Sequence, residues 1–474
     1  MNRAFWRPFL IAAAALALLA LVAPLIPERE SEVFSLKKLD PLKTLFAERD
    51  FAAPDTLAEQ AKQVHIASEL QPLESFLLKL EEQRENPAGN LRVAFYGDSL
   101  IEGDLLTEKL RELLQSQYGG HGVGLVPITS IVNHFRQTIR HDFSRNWETV
   151  SFMKRGTGRF PLGMIGYTFI PRTWYYEETV IETASSPEIL DSLGNVVSPG
   201  TASSSRKETR RFYLDGPSWV EYSGVKAPGG ASEFRRVRLF YSHASANSTV
   251  RVSYDGGEPI SFALDPAEGV RVLDLSASSP LQKIRLSFDP RDPIHVYGVS
   301  FDDLSGAYVD NFAVRGFSGM GFGAIPAEAL SVFHSQLDYD LVVLQYGGNV
   351  SRPDRRDYSN YIKGMEASIR HIQSALPGVP ILLVGVQDRS SKQGGGYQTQ
   401  PDIPILVQAQ SELAARTGCA FWNLYEAMGG YNSMPDWVSA KPALAARDYT
   451  HFTRAGAAKL AEMLYKLLTT GTNG

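Results

Sequence analysis

The chain has 474 residues, 43% of them hydrophobic and 21% charged, which is enough to bury a large core in more than one domain. A formal net charge of −5, with no basic stripe interleaved with aromatics, argues against nucleic acid as a partner. One cysteine, Cys419, excludes an internal disulfide framework and any CxxC metal site; no HExxH or EF-hand pattern occurs either, so neither a metal nor a cofactor is implied.

Arg3 and Arg7 precede an uninterrupted apolar run from Phe9 to Ile26, and Glu28-Arg29-Glu30 follows it. Such a run is long enough to cross a bilayer, and the positive charges stay inside. The expectation is an N-terminal membrane helix over residues 1–28 that keeps the body in the cell envelope, facing the periplasm. Cleavage after Ala23 would release a secreted form instead. Residues 29–90 are charged and patterned as a helical stalk, for example Leu57 to Leu80, closed around Asn86-Pro87.

The stretch Val93-Ala94-Phe95-Tyr96-Gly97-Asp98-Ser99-Leu100 then reads as a buried strand stopped by a Gly-Asp turn. From Asp104 to Tyr118, Leu105, Leu106, Leu110, Leu113 and Leu114 fall at helical spacing. Ser99 therefore sits on a tight turn between strand and helix. Such a turn lifts a hydroxyl out of the sheet and aims backbone N–H groups at whatever bonds to it. The glycine-rich loop Gly119 to Gly124 that follows lacks the spacing of either common nucleotide fingerprint.

Around residue 146 the pattern changes. Short runs at Thr168–Ile170, Arg211–Leu214, Val237–Tyr241, Thr249–Tyr254, Val270–Leu275, Ile284–Phe288 and Val296–Phe301 recur between turn residues, with Asp255-Gly256-Gly257 as a hairpin turn. This is the rhythm of an all-β sandwich, expected over 146–305. Strand and helix alternate again afterwards: strands at Asp340–Gln345, Ile381–Val386 and Ala420–Asn423, helices at Tyr358–Ala375, Ile403–Thr417 and Thr453–Leu468. The fold class expected is α/β, a parallel sheet covered on both faces, split into residues 91–145 and 306–474 by the β insert.

Three further loops bring polar groups to strand ends, where open α/β folds place ligands. They are Arg315-Gly316-Phe317-Ser318-Gly319-Met320-Gly321, Gly347-Gly348-Asn349, and Asp448-Tyr449-Thr450-His451 before the last helix. Asp448 and His451, three apart on one turn, can bond to each other without help from the rest of the fold. Imidazole takes a proton from a serine hydroxyl best when a carboxylate fixes its tautomer. Acyl transfer also needs donors for an oxyanion; the N–H groups of Ser99 and Gly319 and the amide of Asn349 are the candidates, with Gly316 competing with Gly319.

Gly-Asp-Ser-Leu, a Ser-Gly loop, Gly-x-Asn and Asp-x-x-His, in that order, together resemble the SGNH (GDSL) hydrolase superfamily. The resemblance implies a three-layer sandwich with Ser99, Asp448 and His451 as catalytic triad and Ser99, Gly319 and Asn349 as oxyanion hole. The stretch Gly97 to Pro127 and the β insert are similar to peptidoglycan O-acetylesterases of the Ape type, whose insert resembles a carbohydrate-binding module. The chain departs from that subgroup in Leu100 after the serine, in Gly-Phe-Ser-Gly as second block, and in Val350 after the asparagine. What the resemblance implies is a serine esterase acting on an acetylated glycan such as peptidoglycan. An O-acetyltransferase using the same triad and a non-catalytic carbohydrate-binding scaffold are the competing readings; a lipase reading lacks an apolar lid. Trp147, Trp174, Tyr175, Tyr176 and Trp219 of the insert could stack on sugar rings.

Overall fold

The apolar run before Ser99 forms β1 (Asn90–Gly97), an inner strand of a five-stranded sheet. The computed structural model describes residues 70–86, 89–155, 160–183, 189–190, 196–198 and 204–470. The expected membrane helix lies outside the described residues, as does the stalk before residue 70. Among the described residues no helix is long and apolar enough to cross a membrane.

Four more strands complete the sheet: β2 (Gly306–Ala313), β3 (Leu341–Gln345), β4 (Ile381–Val384) and β5 (Ala420–Trp422), in the order β2-β1-β3-β4-β5. All neighbours run parallel. Side chains alternate along β1, so Leu91, Val93 and Phe95 enter one core and Ala94 and Tyr96 the other. Helices α1 (Glu74–Glu85), α2 (Leu105–Tyr118) and α8 (Arg454–Thr470) cover the first face through Leu80, Leu106, Leu110, Leu460 and Leu464. Helices α3 (Ala327–Leu337), α4 (Ser359–Ala375) and α5 (Ile403–Thr417) cover the second through Phe333, Met365, Ile369 and Leu406. Two shorter helices, α6 (Leu424–Met428) and α7 (Ser433–Ser439), follow β5. A parallel sheet buried on both faces is what continuous apolar strands demand.

Gly97 at the end of β1 pairs with Ala313 on one side and Gln345 on the other. The loops that follow these three strands therefore leave from one edge. Because β1 has its sequence successors on opposite sides, this edge is where the strand order reverses and a crevice opens.

Between α2 and β2 lie two large antiparallel sheets, besides the two-stranded pairings of Trp174–Thr183 with Ser204–Tyr213 and of Ile189–Leu190 with Val196–Ser198. One has the order Ile260–Ala263, Thr249–Tyr254, Lys283–Phe288, Ser218–Gly224, Ile139–Phe143. The other runs Arg271–Asp274, Arg236–Ser242, His295–Asp302, Tyr167–Pro171, Trp147–Ser151, with Gly124–Val126 also paired to His295–Asp302. In Lys283–Phe288 the alternate residues Ile284, Leu286 and Phe288 are buried, as for a sheet with one covered face. Tyr222 of one sheet meets Phe301 of the other at 4.8 Å between ring centroids. The turn at Asp255-Gly256 has both residues in the left-handed region, which suits a tight hairpin.

These sheets begin at Gly124, earlier than the change of pattern at residue 146 suggests. Gly124–Val126 hides inside a glycine-rich segment, and Ile139–Phe143 carries Arg140, His141 and Asp142, which break the apolar signal. Buried charge ties the two regions together. Arg92 on β1 pairs with Asp310 of β2 at 3.1 Å and with Asp302 of the antiparallel sheet, and Arg238 meets the same Asp302 at 2.7 Å. Phe240 stacks on Phe333 of α3 at 4.6 Å.

Candidate active site

Ser99 stands directly after the Gly97-Asp98 turn at the end of β1, half-buried. Its Oγ lies 3.0 Å from His451 Nε2. His451 Nδ1 lies 2.6 Å from Asp448 Oδ2, and the backbone N–H groups of Thr450 and His451 each donate to Asp448 Oδ1 at 3.0 Å. A carboxylate can only accept, so the Nδ1 proton faces Asp448, and Nε2 is left to accept the Ser99 hydroxyl proton.

The turn carrying this pair is locally built. Tyr449 adopts φ +55°, and its ring stacks on Tyr397 with centroids 3.6 Å apart. Partial burial alone would raise the Asp448 carboxyl; hydrogen bonds from the His451 backbone and ring and from Thr450 outweigh it and hold the group below its usual range.

Asn349 follows β3. Its Nδ2 donates to Asp98 Oδ2 at 2.7 Å and to the Phe317 carbonyl at 3.1 Å, so it joins the residue before Ser99 to the loop that carries Gly319. Gly319 has φ +87°, and a Cβ there would stand 2.6 Å from both Tyr346 Cδ2 and Met365 Sδ. Glycine alone fits that approach. Gly316, the competing glycine, also has positive φ but faces open space, with only Met153 Cε 3.6 Å from a Cβ there. The five residues singled out in the sequence thus come to one sheet edge: Ser99, His451 and Asp448 by direct contact, Asn349 through Asp98, and Gly319 through the loop held at Phe317.

Several side chains here carry no motif. Asp98 is buried and also accepts from Leu100 N–H at 3.0 Å; burial pushes its carboxyl up to about 6, against the pull of Leu100, His451 and Asn349. Arg389, after β4, donates to the Gly348 carbonyl at 2.9 Å and to Thr450 Oγ1 at 3.2 Å, tying the asparagine loop to the histidine turn. Gln387 donates to the Thr450 carbonyl at 3.3 Å. The polar run Gln387-Asp388-Arg389, separated from a buried strand by two residues, is the signal that could have marked them. Phe152, from the antiparallel region, stacks face to face on Phe317 at 4.1 Å. Among the described residues no group of His, Cys, Asp and Glu is placed to hold a metal ion.

Residues 287–459 match the model of the GDSL-like lipase/acylhydrolase family, a span that includes Gly319, Asn349, Asp448 and His451. No curated protein matches the chain. Among solved structures, a peptidoglycan O-acetylesterase is similar over 84% of this chain and 96% of its own, with 21% identity and a TM-score of 0.61. An acetyl xylan esterase, AlAXEase, matches at 17% identity over 34% of this chain and 80% of its own, with a TM-score of 0.25. A family 2 carbohydrate esterase with a carbohydrate-binding domain, from Corynascus thermopiles (Myceliophthora fergusii), matches at 13% identity over 55% and 95%, with a TM-score of 0.27. The last two scores are too low to bear on the fold, and the first bears on the fold alone: α/β with a parallel sheet. The matched span begins beyond β1 and Ser99; it marks a GDSL-like lipase/acylhydrolase domain, and the chain is a carboxylic ester hydrolase.

Proposed function

We propose that this chain is a serine esterase that removes O-acetyl groups from an envelope polysaccharide, peptidoglycan being the substrate the reading favours. The observation that carries it is the contact of Ser99 Oγ with His451 Nε2 at 3.0 Å, with Asp448 behind the ring. Ser99 Oγ attacks the acetyl carbonyl carbon while Nε2 takes its proton. The imidazolium, steadied by Asp448, then returns the proton to the departing sugar oxygen, leaving an acetyl-enzyme. Water, deprotonated by the same nitrogen, attacks the acetyl carbon and releases acetate and free Ser99.

The oxyanion of each tetrahedral intermediate is received by the N–H groups of Ser99 and Gly319 and by Asn349 Nδ2. Both Asn349 amide protons already have acceptors, Asp98 and the Phe317 carbonyl. The oxyanion takes the place of the neutral carbonyl, while the Asp98 bond holds the amide plane. Each such donor is worth about 3–4 kcal/mol of barrier. The side chains of His451 and Asp448 are 44% and 50% exposed, so water can reach the acetyl-enzyme.

In the same reading, the antiparallel region expected over 146–305 is a β-sandwich that handles the glycan, and the N-terminal segment 1–28, with its apolar run from Phe9 to Ile26, anchors the enzyme in the envelope. The test is acetate release from O-acetylated peptidoglycan by the full chain and by Ser99→Ala. The wild type should release acetate and the variant should lose at least about a thousandfold in kcat. Equal release by both, or none by the wild type, overturns the proposal.

A further inference from the structure

We propose that a cavity of about 320 Å³, between the parallel sheet and the antiparallel sheets, binds the carboxylate-bearing flank of a polymeric substrate beside the Ser99 loop. This rests on the esterase reading above. It adds where the rest of the polymer lies and which charge it carries.

Position comes first. The cavity is lined by Glu102, Asn133, Arg136, Thr149, Lys154 and Asn311 among others. Glu102 is three residues beyond Ser99, and Asn311 stands near the end of β2, whose last residue, Ala313, pairs with Gly97. The other half of the wall comes from the segment around Asn133 to Lys154, which belongs to the antiparallel region. A ligand in the cavity therefore touches both halves of the protein at the catalytic edge of the sheet.

The wall on the serine side is rigid. Gly103 and Asp104 both lie in the left-handed region, at φ +74° and +69°. This turns the Asp104 carboxylate inward, to a two-pronged pair with Arg111 at 2.9 Å and a bond from Thr138 Oγ1 at 2.6 Å. A strained backbone held by so many partners keeps the loop after Ser99 fixed against the antiparallel region.

Charge selects the ligand. Both acids in the wall are compensated internally, Glu102 by Arg315, whose Nε donates at 2.7 Å, and Asp104 by Arg111 and by Arg136 at 3.3 Å. Lys154 is exposed and, among the described residues, has no ion-pair partner. Arg155 beside it is exposed as well. A cationic mouth on a chain of net charge −5 is a local reversal of sign, and such a reversal steers anionic ligands. Ile131, 77% exposed, lines the cavity too, and Phe135 and Met153, adjacent in sequence to the lining residues Arg136 and Lys154, are 69% and 57% exposed. Cations interleaved with apolar groups suit a glycan that carries acidic peptide branches better than a neutral, unbranched one.

The test measures kcat/KM of the full chain for O-acetylated peptidoglycan, for neutral acetylated xylan and for p-nitrophenyl acetate, over a range of ionic strength. Lys154→Glu and Ile131→Glu are compared with the wild type; both positions are exposed, so folding is spared. At low salt each variant should lower the ratio of peptidoglycan to p-nitrophenyl acetate activity by at least about fivefold, and the loss for Lys154→Glu should shrink as salt rises. The ratio of xylan to p-nitrophenyl acetate should move by less than about twofold. A peptidoglycan ratio equal to the wild type, or an equal loss on xylan, overturns the cavity assignment. Failure of the esterase reading shows separately, as a wild type that does not hydrolyse p-nitrophenyl acetate.

Discussion

Asp98 Oδ2 accepts a 2.7 Å hydrogen bond from Asn349 Nδ2, so the residue before the proposed nucleophile fixes the amide of the proposed oxyanion hole across 251 positions of sequence. Replacing Asp98 by Ala strands that amide proton and the buried Leu100 N–H. Each unpaired buried group costs about 1–3 kcal/mol. Asp98→Ala should therefore lose roughly 2–4 kcal/mol in urea unfolding and at least about tenfold in kcat. Asp98→Asn, which keeps a carbonyl acceptor toward Asn349 but turns its NH2 group toward the Leu100 N–H, should recover most of the kcat and only part of the stability. Equal losses in the two variants would show that the hydrogen bond is not what matters.

The same carboxyl gives a pH dependence of definite sign. Burial raises Asp98 from 3.8 to about 6, so the folded chain binds this proton more tightly than the unfolded chain does. Its contribution to stability is greatest below about pH 4 and falls as pH rises through about 6, by up to about 3 kcal/mol. Unfolding measured from pH 4 to 7 should show this decline in the wild type and a flatter profile in Asp98→Asn. Parallel profiles would refute the assignment.

Gly319 and Gly348 make a matched pair. At Gly319 a Cβ meets Tyr346 and Met365 at 2.6 Å on a backbone of positive φ; at Gly348 the nearest atom is 3.6 Å away and φ is ordinary. Gly319→Ala should displace the loop and cost at least about tenfold in kcat, with about 1–3 kcal/mol of stability. Gly348→Ala should stay within about twofold of the wild type. Steady-state kinetics with thermal unfolding reads both, and a fully active Gly319→Ala removes that N–H from the oxyanion hole.

Phe152 lies parallel to Phe317, 1° between planes, and the Phe317 carbonyl is the one that Asn349 contacts. The antiparallel region thus props the oxyanion loop. Phe152→Ala should cost about 2 kcal/mol, below the range for a fully buried phenylalanine. It should also lower kcat, whereas Phe152→Leu should restore stability more than activity. A variant that loses stability with kcat intact would make the contact purely structural.

The parts of the site that are legible in the sequence are local. The turn holding Ser99 follows from an apolar run stopped by Gly-Asp and a leucine-striped helix, and the structure has both, as β1 and α2. The Asp448–His451 pair needs only one turn of chain, and α5 occupies the span its spacing implies. What sequence spacing does not reveal is long-range. The Asp98–Asn349 bond and the Arg389 contacts join loops from different strands, and no local pattern encodes such a meeting. Helix α3 is short, with its buried side chains Ala329, Leu330, Phe333 and Leu337 on one stripe, and it is held by packing against the antiparallel sheet at Phe240. Tertiary contact, more than periodicity, fixes elements of that kind.

The most direct measurement is the site of the acetyl group during turnover. Full-length protein mixed with p-nitrophenyl acetate, quenched in acid within the first turnovers and digested, should yield a peptide spanning Ser99 heavier by one acetyl group, and Ser99→Ala should yield none. Acetate release with no acetylated Ser99 at any quench time, or with the acetyl group on another side chain, contradicts the mechanism.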